Sequence, residues 1–169
     1  MAQKKGYVNL CYGVPEFAPP EFVTKSITDA LNTCSPIDLH QYGSIEGPAG
    51  LRTEVVNTYG HLMNRDVNPS TEVFVSLGAT ACYEIAARVL LRPGDQAIIL
   101  EPCYSLWIPQ ITDRGATVRF IDILEGFDKQ TFEAAFNEKT RVFVFNSPHN
   151  PTGKVFTQEE QQYIADFII

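Results

Sequence analysis

Cysteine is scarce in this chain and never paired in sequence: Cys11, Cys34, Cys82 and Cys103 lie far apart, with no C-x-x-C spacing. That excludes a disulfide-framed small domain and favours reduced thiols in a cytoplasmic compartment. The three histidines, His40, His61 and His149, are as scattered, so no metal ligand set is expected. Basic charge is in the minority. The 13 Lys and Arg against 20 Asp and Glu leave a formal net charge of −7. An acidic chain gains nothing from a phosphate backbone, so nucleic acid is not an expected partner. A small anion remains compatible, because backbone dipoles bind it locally. Long apolar runs are missing too. Ala97–Leu100 and Val142–Phe145 are strand-sized, far short of a membrane span. The polar start, Met1–Gly6, leads into no signal-peptide core. No G-x-G-x-x-G follows an expected strand, which leaves a dinucleotide site unsupported. Gly153-Lys154 looks like the end of a P-loop, but Pro148 and Val155 stand where that motif needs Gly and Ser or Thr.

What is present is an ordinary globular mixture, 44% apolar and 20% charged in 169 residues. Val8–Tyr12 is a short apolar segment, followed by the prolines 15, 19 and 20. Pro20 is suited to open a helix that carries Phe22, Val23, Ser26, Ile27, Ala30 and Leu31 at helical spacing. Asn32–Gly50 reads as loop and Leu51–Met63 as a second helix. From there strands and helices alternate. Strands are expected at Glu72–Ser76, Gln96–Leu100, Thr117–Ile123 and Arg141–Phe145. Helices are expected at Ala79–Leu91, Tyr104–Arg114 and Gln130–Phe136. A further helix opens at Thr157, with Glu160 completing a capping box. The alternation predicts an α/β fold with a mostly parallel sheet, whose ligands sit beyond the C-terminal ends of the strands.

Three loops fall at those ends. Leu77-Gly78-Ala79-Thr80 joins a strand to a helix whose first N–H groups lack intrahelical partners, a potential phosphate cup. Glu101-Pro102-Cys103-Tyr104 offers an aromatic face to a planar heterocycle. Asn146–Lys154 is stiffened by Pro148 and Pro151 and holds Asn150 with its amide free to donate. Taken singly, each also fits a plain structural turn.

Their order and spacing resemble the fold type I, class I/II aminotransferases, which depend on pyridoxal 5'-phosphate (PLP). Asn146–Gly153 is similar to the N-x-P-x-N-P-x-G signature of that family. Leu77–Thr80 resembles its phosphate turn, and Glu101–Tyr104 the segment with the ring-stacking aromatic. Upstream, Gly13-Val14-Pro15-Glu16-Phe17 looks like its G-x-P-x-F segment. Tyr42, ahead of Gly50-Leu51-Arg52, resembles a tyrosine that reaches the neighbouring subunit's phosphate. One mild departure is Ala81-Cys82, where many relatives have an acidic residue and a small one.

The resemblance implies an αβα sandwich of the PLP-dependent transferase type. Residues 1–45 would form the N-terminal segment, and 46–169 the first part of a truncated PLP-binding large domain. It implies that Ala79 and Thr80 hold the cofactor phosphate, Tyr104 stacks on the ring, and Asn150 donates to the ring hydroxyl oxygen and borders the substrate. Gly13 would touch the substrate and Tyr42 would act across a homodimer interface. The implied reaction moves an amino group between an α-amino acid and a 2-oxo acid, and the Asn146–Phe156 run is most similar to the kynurenine, methionine and glutamine branch. A truncated chain with no catalytic role, a binding partner of a full-length paralogue, and a PLP-dependent β-lyase of the same fold stand as alternatives. The family's later motifs, including the lysine that binds the cofactor covalently, have no match here, so this chain by itself is expected to be inactive.

Overall fold

The structure, a computed structural model, describes Gly13, Pro15 and residues 17–169. The apolar segment Val8–Tyr12, with Cys11, lies outside the described residues, as do Val14 and Glu16 of the G-x-P-x-F segment. The chain divides into two units, one ending at Gly43 and the other spanning Ser44–Ile169.

In the first unit, α1 (Glu21–Thr33) follows Pro20 at its cap, whose fixed φ and missing N–H suit a helix start. It carries no buried residue, and Phe22, Ile27 and Leu31 are exposed along it. α2 (Pro36–Leu39) is a single turn inside the stretch expected as loop. Proline at its first position is already set to a helical φ, which makes so short a turn possible.

The second unit opens with α3 (Ala49–Tyr59), prolonged by a 3-10 turn at Gly60–Met63 that stops at left-handed Asn64. Buried Arg52 donates from Nη1 to the carbonyls of Pro69 and Ser70, both at 3.0 Å, and so ties the following loop to this helix. The strand expected at Glu72–Ser76 does not form. Its backbone is free of regular structure, and Val75 N–H donates to Glu46 O at 3.0 Å. A β-ladder needs a partner strand, and none of the three strands pairs with this segment. Gly47 is required at this contact: its φ is +97, and a Cβ there would come within 2.6 Å of Val75 Cβ.

α4 (Gly78–Leu90) leads through Arg92–Asp95 to the sheet, whose strands are β1 (Gln96–Glu101), β2 (Thr117–Asp122) and β3 (Thr140–Val144). All pairings are parallel, in the order β2-β1-β3. β1 is the centre. Ala97 and Ile99 pack with Ala87, Ile111 and Val144 on one face; Ile98 and Leu100 pack with Ile121, Phe132, Phe156 and Ile164 on the other. Those four consecutive residues are at most 1% exposed, which is why β1 reads as an unbroken apolar run. The two clusters place α4 and α5 (Trp107–Thr112) on one face, α6 (Lys129–Ala134) and α7 (Gln158–Ile168) on the other. This is the expected αβα arrangement.

α5 is shorter than the helix expected over Tyr104–Arg114. Residues 104–106 form a turn instead, and Pro109 falls in the first helical turn, where its missing N–H is one of those with no intrahelical partner. Gly115, at φ +74 and packed against Pro93, turns the chain into β2. No helix among the described residues is long and apolar enough to cross a membrane.

Candidate active site

Adjacent strands β1 and β3 continue into helices on opposite faces of the sheet, α5 and α7. Their loops therefore diverge at the C-terminal ends and leave a crevice between them. A cavity of about 360 Å3 occupies it, lined by Ala79, Thr80, Tyr83, Tyr104, Trp107, Gln110, Asn146 and Asn150. That volume lies in the range of small-molecule sites. A larger depression of about 610 Å3 beside α7 is lined by Lys129, Gln158, Glu159, Gln162, Tyr163 and Asp166.

The residues of the three loops thus meet in one place. Gly78 starts α4 at φ +81, and a Cβ on it would meet nothing within 4 Å, so the left-handed backbone rather than protein crowding calls for glycine. Gly78 N–H donates to Ser76 O at 2.8 Å, but no side chain caps α4, so the N–H groups of Ala79 and Thr80 stay available for an anion. The Tyr104 ring, just over a third exposed, stands edge-on to Trp107 at 6.0 Å between centroids. Trp107 stacks in turn on Tyr83, 5.1 Å away at 18°. Burial raises the Tyr83 phenol above its ordinary pKa, keeping that wall uncharged.

The loop after β3 is fixed from within. Asn146 Oδ1 accepts from the Asn150 backbone N–H at 2.7 Å, Ser147 Oγ accepts from Phe156 N–H at 3.1 Å, and Gly153 N–H donates to His149 O at 2.7 Å. Asn150 is exposed, and among the described residues its side-chain amide has no hydrogen-bond partner. Beneath it, His149 is 2% exposed and hydrogen-bonded through Nδ1 to Thr152 Oγ1 at 2.8 Å. Burial pushes its pKa down, partly opposed by the Leu100 backbone. Lys154 does not line the cavity; its ammonium pairs with Glu160 at 2.9 Å and lies over the Phe156 ring.

Gly13 and Tyr42 belong to the first unit, where both are exposed. Tyr83, Trp107 and Gln110 line the cavity without having been singled out in the sequence. Helical spacing carried a signal: Tyr83 is one turn beyond Ala79 and Thr80, and Gln110 one turn beyond Trp107. Among the described residues no three His, Cys, Asp or Glu side chains gather as a metal site.

Residues 5–168 match the family model of aminotransferase class I and II. The chain is 32% identical over 183 residues to kynurenine–oxoglutarate transaminase 3 of Mus musculus, covering 100% of this chain and 39% of that one. It is 30% identical over 186 residues to kynurenine–oxoglutarate transaminase of Dictyostelium discoideum, covering 99% of this chain and 42% of that one. A solved structure of an Escherichia coli protein with a methionine aminotransferase function superposes with a TM-score of 0.85 at 26% identity, covering 93% of this chain and 41% of that one. The chain therefore spans about two fifths of the length of the relatives it matches. With the family model matched along almost all of its length and the cavity formed by the loops that carry the family's motifs, this chain belongs to the class I and II aminotransferases.

Proposed function

We propose that this chain supplies the phosphate- and ring-holding part of a PLP site that moves an amino group between an α-amino acid and a 2-oxo acid. The observation that carries this is the convergence of an uncapped helix start, an aromatic ring and an unpartnered amide on one cavity. That donor set fits a phosphate ester of a planar heterocycle. The backbone amides at Ala79 and Thr80 hold the phosphate, where the α4 dipole favours negative charge. Tyr104 covers the ring face and excludes water from it. Asn150 donates to the ring hydroxyl oxygen and borders the substrate, and Asn146 holds the Asn150 backbone in place. Gly13 touches the substrate, and Tyr42 reaches the phosphate of a second copy in a homodimer. When bound, the cofactor supplies an electron sink for negative charge developing on the substrate. The free thiols of Cys34, Cys82 and Cys103 support a cytoplasmic setting. The kynurenine and methionine transaminase activities of these relatives support an amino-acid substrate of that branch.

Equilibrium dialysis against pyridoxine 5'-phosphate, which lacks the aldehyde and so cannot react with surface amines, tests the reading. Asn150→Ala and Tyr104→Ala should each weaken binding by roughly tenfold, as expected for a lost hydrogen bond to a charged group or a lost stacking face. Unchanged affinity in both variants would sink the assignment.

A further inference from the structure

α5 follows the turn that carries Tyr104, and one of its side chains reaches across the cavity wall to the phosphate turn. Gln110 Nε2 donates to the Thr80 backbone carbonyl at 2.9 Å. This bond sets the amide's orientation, since the reverse would place two oxygens together. Gln110 Oε1 is left buried without a hydrogen-bond partner. An apolar side chain of similar length would fill the position without stranding an oxygen, so stability alone does not account for glutamine here. Gln110 lines the same cavity as Ala79, Thr80 and Tyr104, and it joins α5, which follows directly on the turn bearing the Tyr104 ring, to the helix start that bears the free N–H groups.

We propose that Gln110 is a positioning residue that fixes the spacing between the anion-holding start of α4 and the ring-covering Tyr104, and so sets the preference of the cavity for the phosphorylated form of a pyridine ligand. This rests on the cofactor reading above. With Gln110 in place, the Thr80 carbonyl is held from the α5 side, which fixes the first turn of α4 that carries the Ala79 and Thr80 N–H groups. Without it, the first turn of α4 is free to shift against the ring, and the phosphate contacts suffer more than the ring contacts do.

The chain carries its own reporter. Trp107 is its only tryptophan and lines the cavity. Its fluorescence quenching is to be titrated with pyridoxine 5'-phosphate and with unphosphorylated pyridoxine, in the unchanged chain, Gln110→Leu and Gln110→Glu. Gln110→Leu should lower the preference for the phosphate form about tenfold while changing pyridoxine binding less than about twofold. A side chain that merely packed α5 on α4 would weaken both ligands alike. Gln110→Glu should lack the preference at neutral pH, where its carboxylate cannot donate to Thr80. At acid pH, protonated and neutral, it should regain a preference that Gln110→Leu at the same pH does not. An unaltered preference in Gln110→Leu, or no recovery in protonated Gln110→Glu, would overturn the positioning role alone. Absence of quenching by pyridoxine 5'-phosphate in the unchanged chain would overturn the cofactor reading together with it.

Discussion

His149 shows how a polar residue comes to hold a functional loop from below. The signature that displays Asn150 at the surface sends its neighbour inward, where the imidazole is 2% exposed, has one partner in Thr152 and leaves Nε2 without one. Desolvation makes the neutral ring the favoured form, so its pKa in the fold lies below the ordinary 6.5. The sign follows directly. Above 6.5 neither state takes the proton and the contribution to stability is complete; as pH falls the unfolded chain is protonated first, and stability is lost down through the lower folded value. Denaturant titrations over this pH range should show that slope, and His149→Gln should flatten it. The same substitution should cost roughly 1–3 kcal/mol at neutral pH, because the Thr152 hydroxyl loses its imidazole partner in a buried setting. A stability curve with the same slope in both proteins would show that His149 does not titrate as argued.

At the scale of elements, α7 illustrates a local signal that survives intact. Thr157 Oγ1 accepts from Glu160 N–H at 3.1 Å and Glu160 Oε2 accepts from Thr157 N–H at 2.8 Å, which is the expected capping box. Glu160 also pairs with Lys154, and so couples the start of α7 to the end of the Asn150 loop. Burial pushes the Glu160 carboxyl up, but Lys154 and the Thr157 N–H and hydroxyl outweigh it and hold its pKa below 4.5. Its stabilisation is therefore complete above that value and is lost as pH falls through the lower folded pKa. Thr157→Ala should destabilise the chain by about 1 kcal/mol, and Glu160→Gln should remove the acid-dependent part, both read from denaturation midpoints between acid and neutral pH. Equal midpoints for Thr157→Ala and the unchanged chain would contradict the cap's contribution.

For the whole molecule, the informative surface is apolar. Leu77 and Val89 are 95% and 74% exposed, Leu62, Leu124 and Val155 are each about two thirds exposed, and α1 buries nothing. Among the described residues β2 and β3 each pair along one edge only, leaving the other edges of the sheet unpaired. Apolar surface on this scale favours association. At roughly 25 cal/mol per Å2, covering a few hundred Å2 of it is worth several kcal/mol, comparable to the stability of a typical domain. The 169-residue chain expressed alone should self-associate and bind a hydrophobic dye. Sedimentation as a monomer, with a sharp cooperative thermal transition and no dye binding, would contradict this.

Local pattern by itself determined the parallel strands β1, β2 and β3, the helix that follows the Leu77–Thr80 turn to within a residue of its start, the cap at Thr157, and the Asn146–Gly153 loop. Those signals are periodicity, capping and proline chemistry, all written within a few residues. An unbroken apolar run such as Ala97 to Leu100 already states that both faces of a strand are covered, whatever covers them. Tertiary structure decided the rest. Glu72–Ser76 has strand composition but gains no ladder, because a strand is defined by a neighbour that the segment does not itself contain. Tyr83, Trp107 and Gln110 became cavity walls only once α4 and α5 had packed on the same face of the sheet, through Ala87 and Ile111. The divergence of β1 and β3 into helices on opposite faces then set where that cavity opens, since which face a helix takes is fixed by contacts between residues distant in the chain.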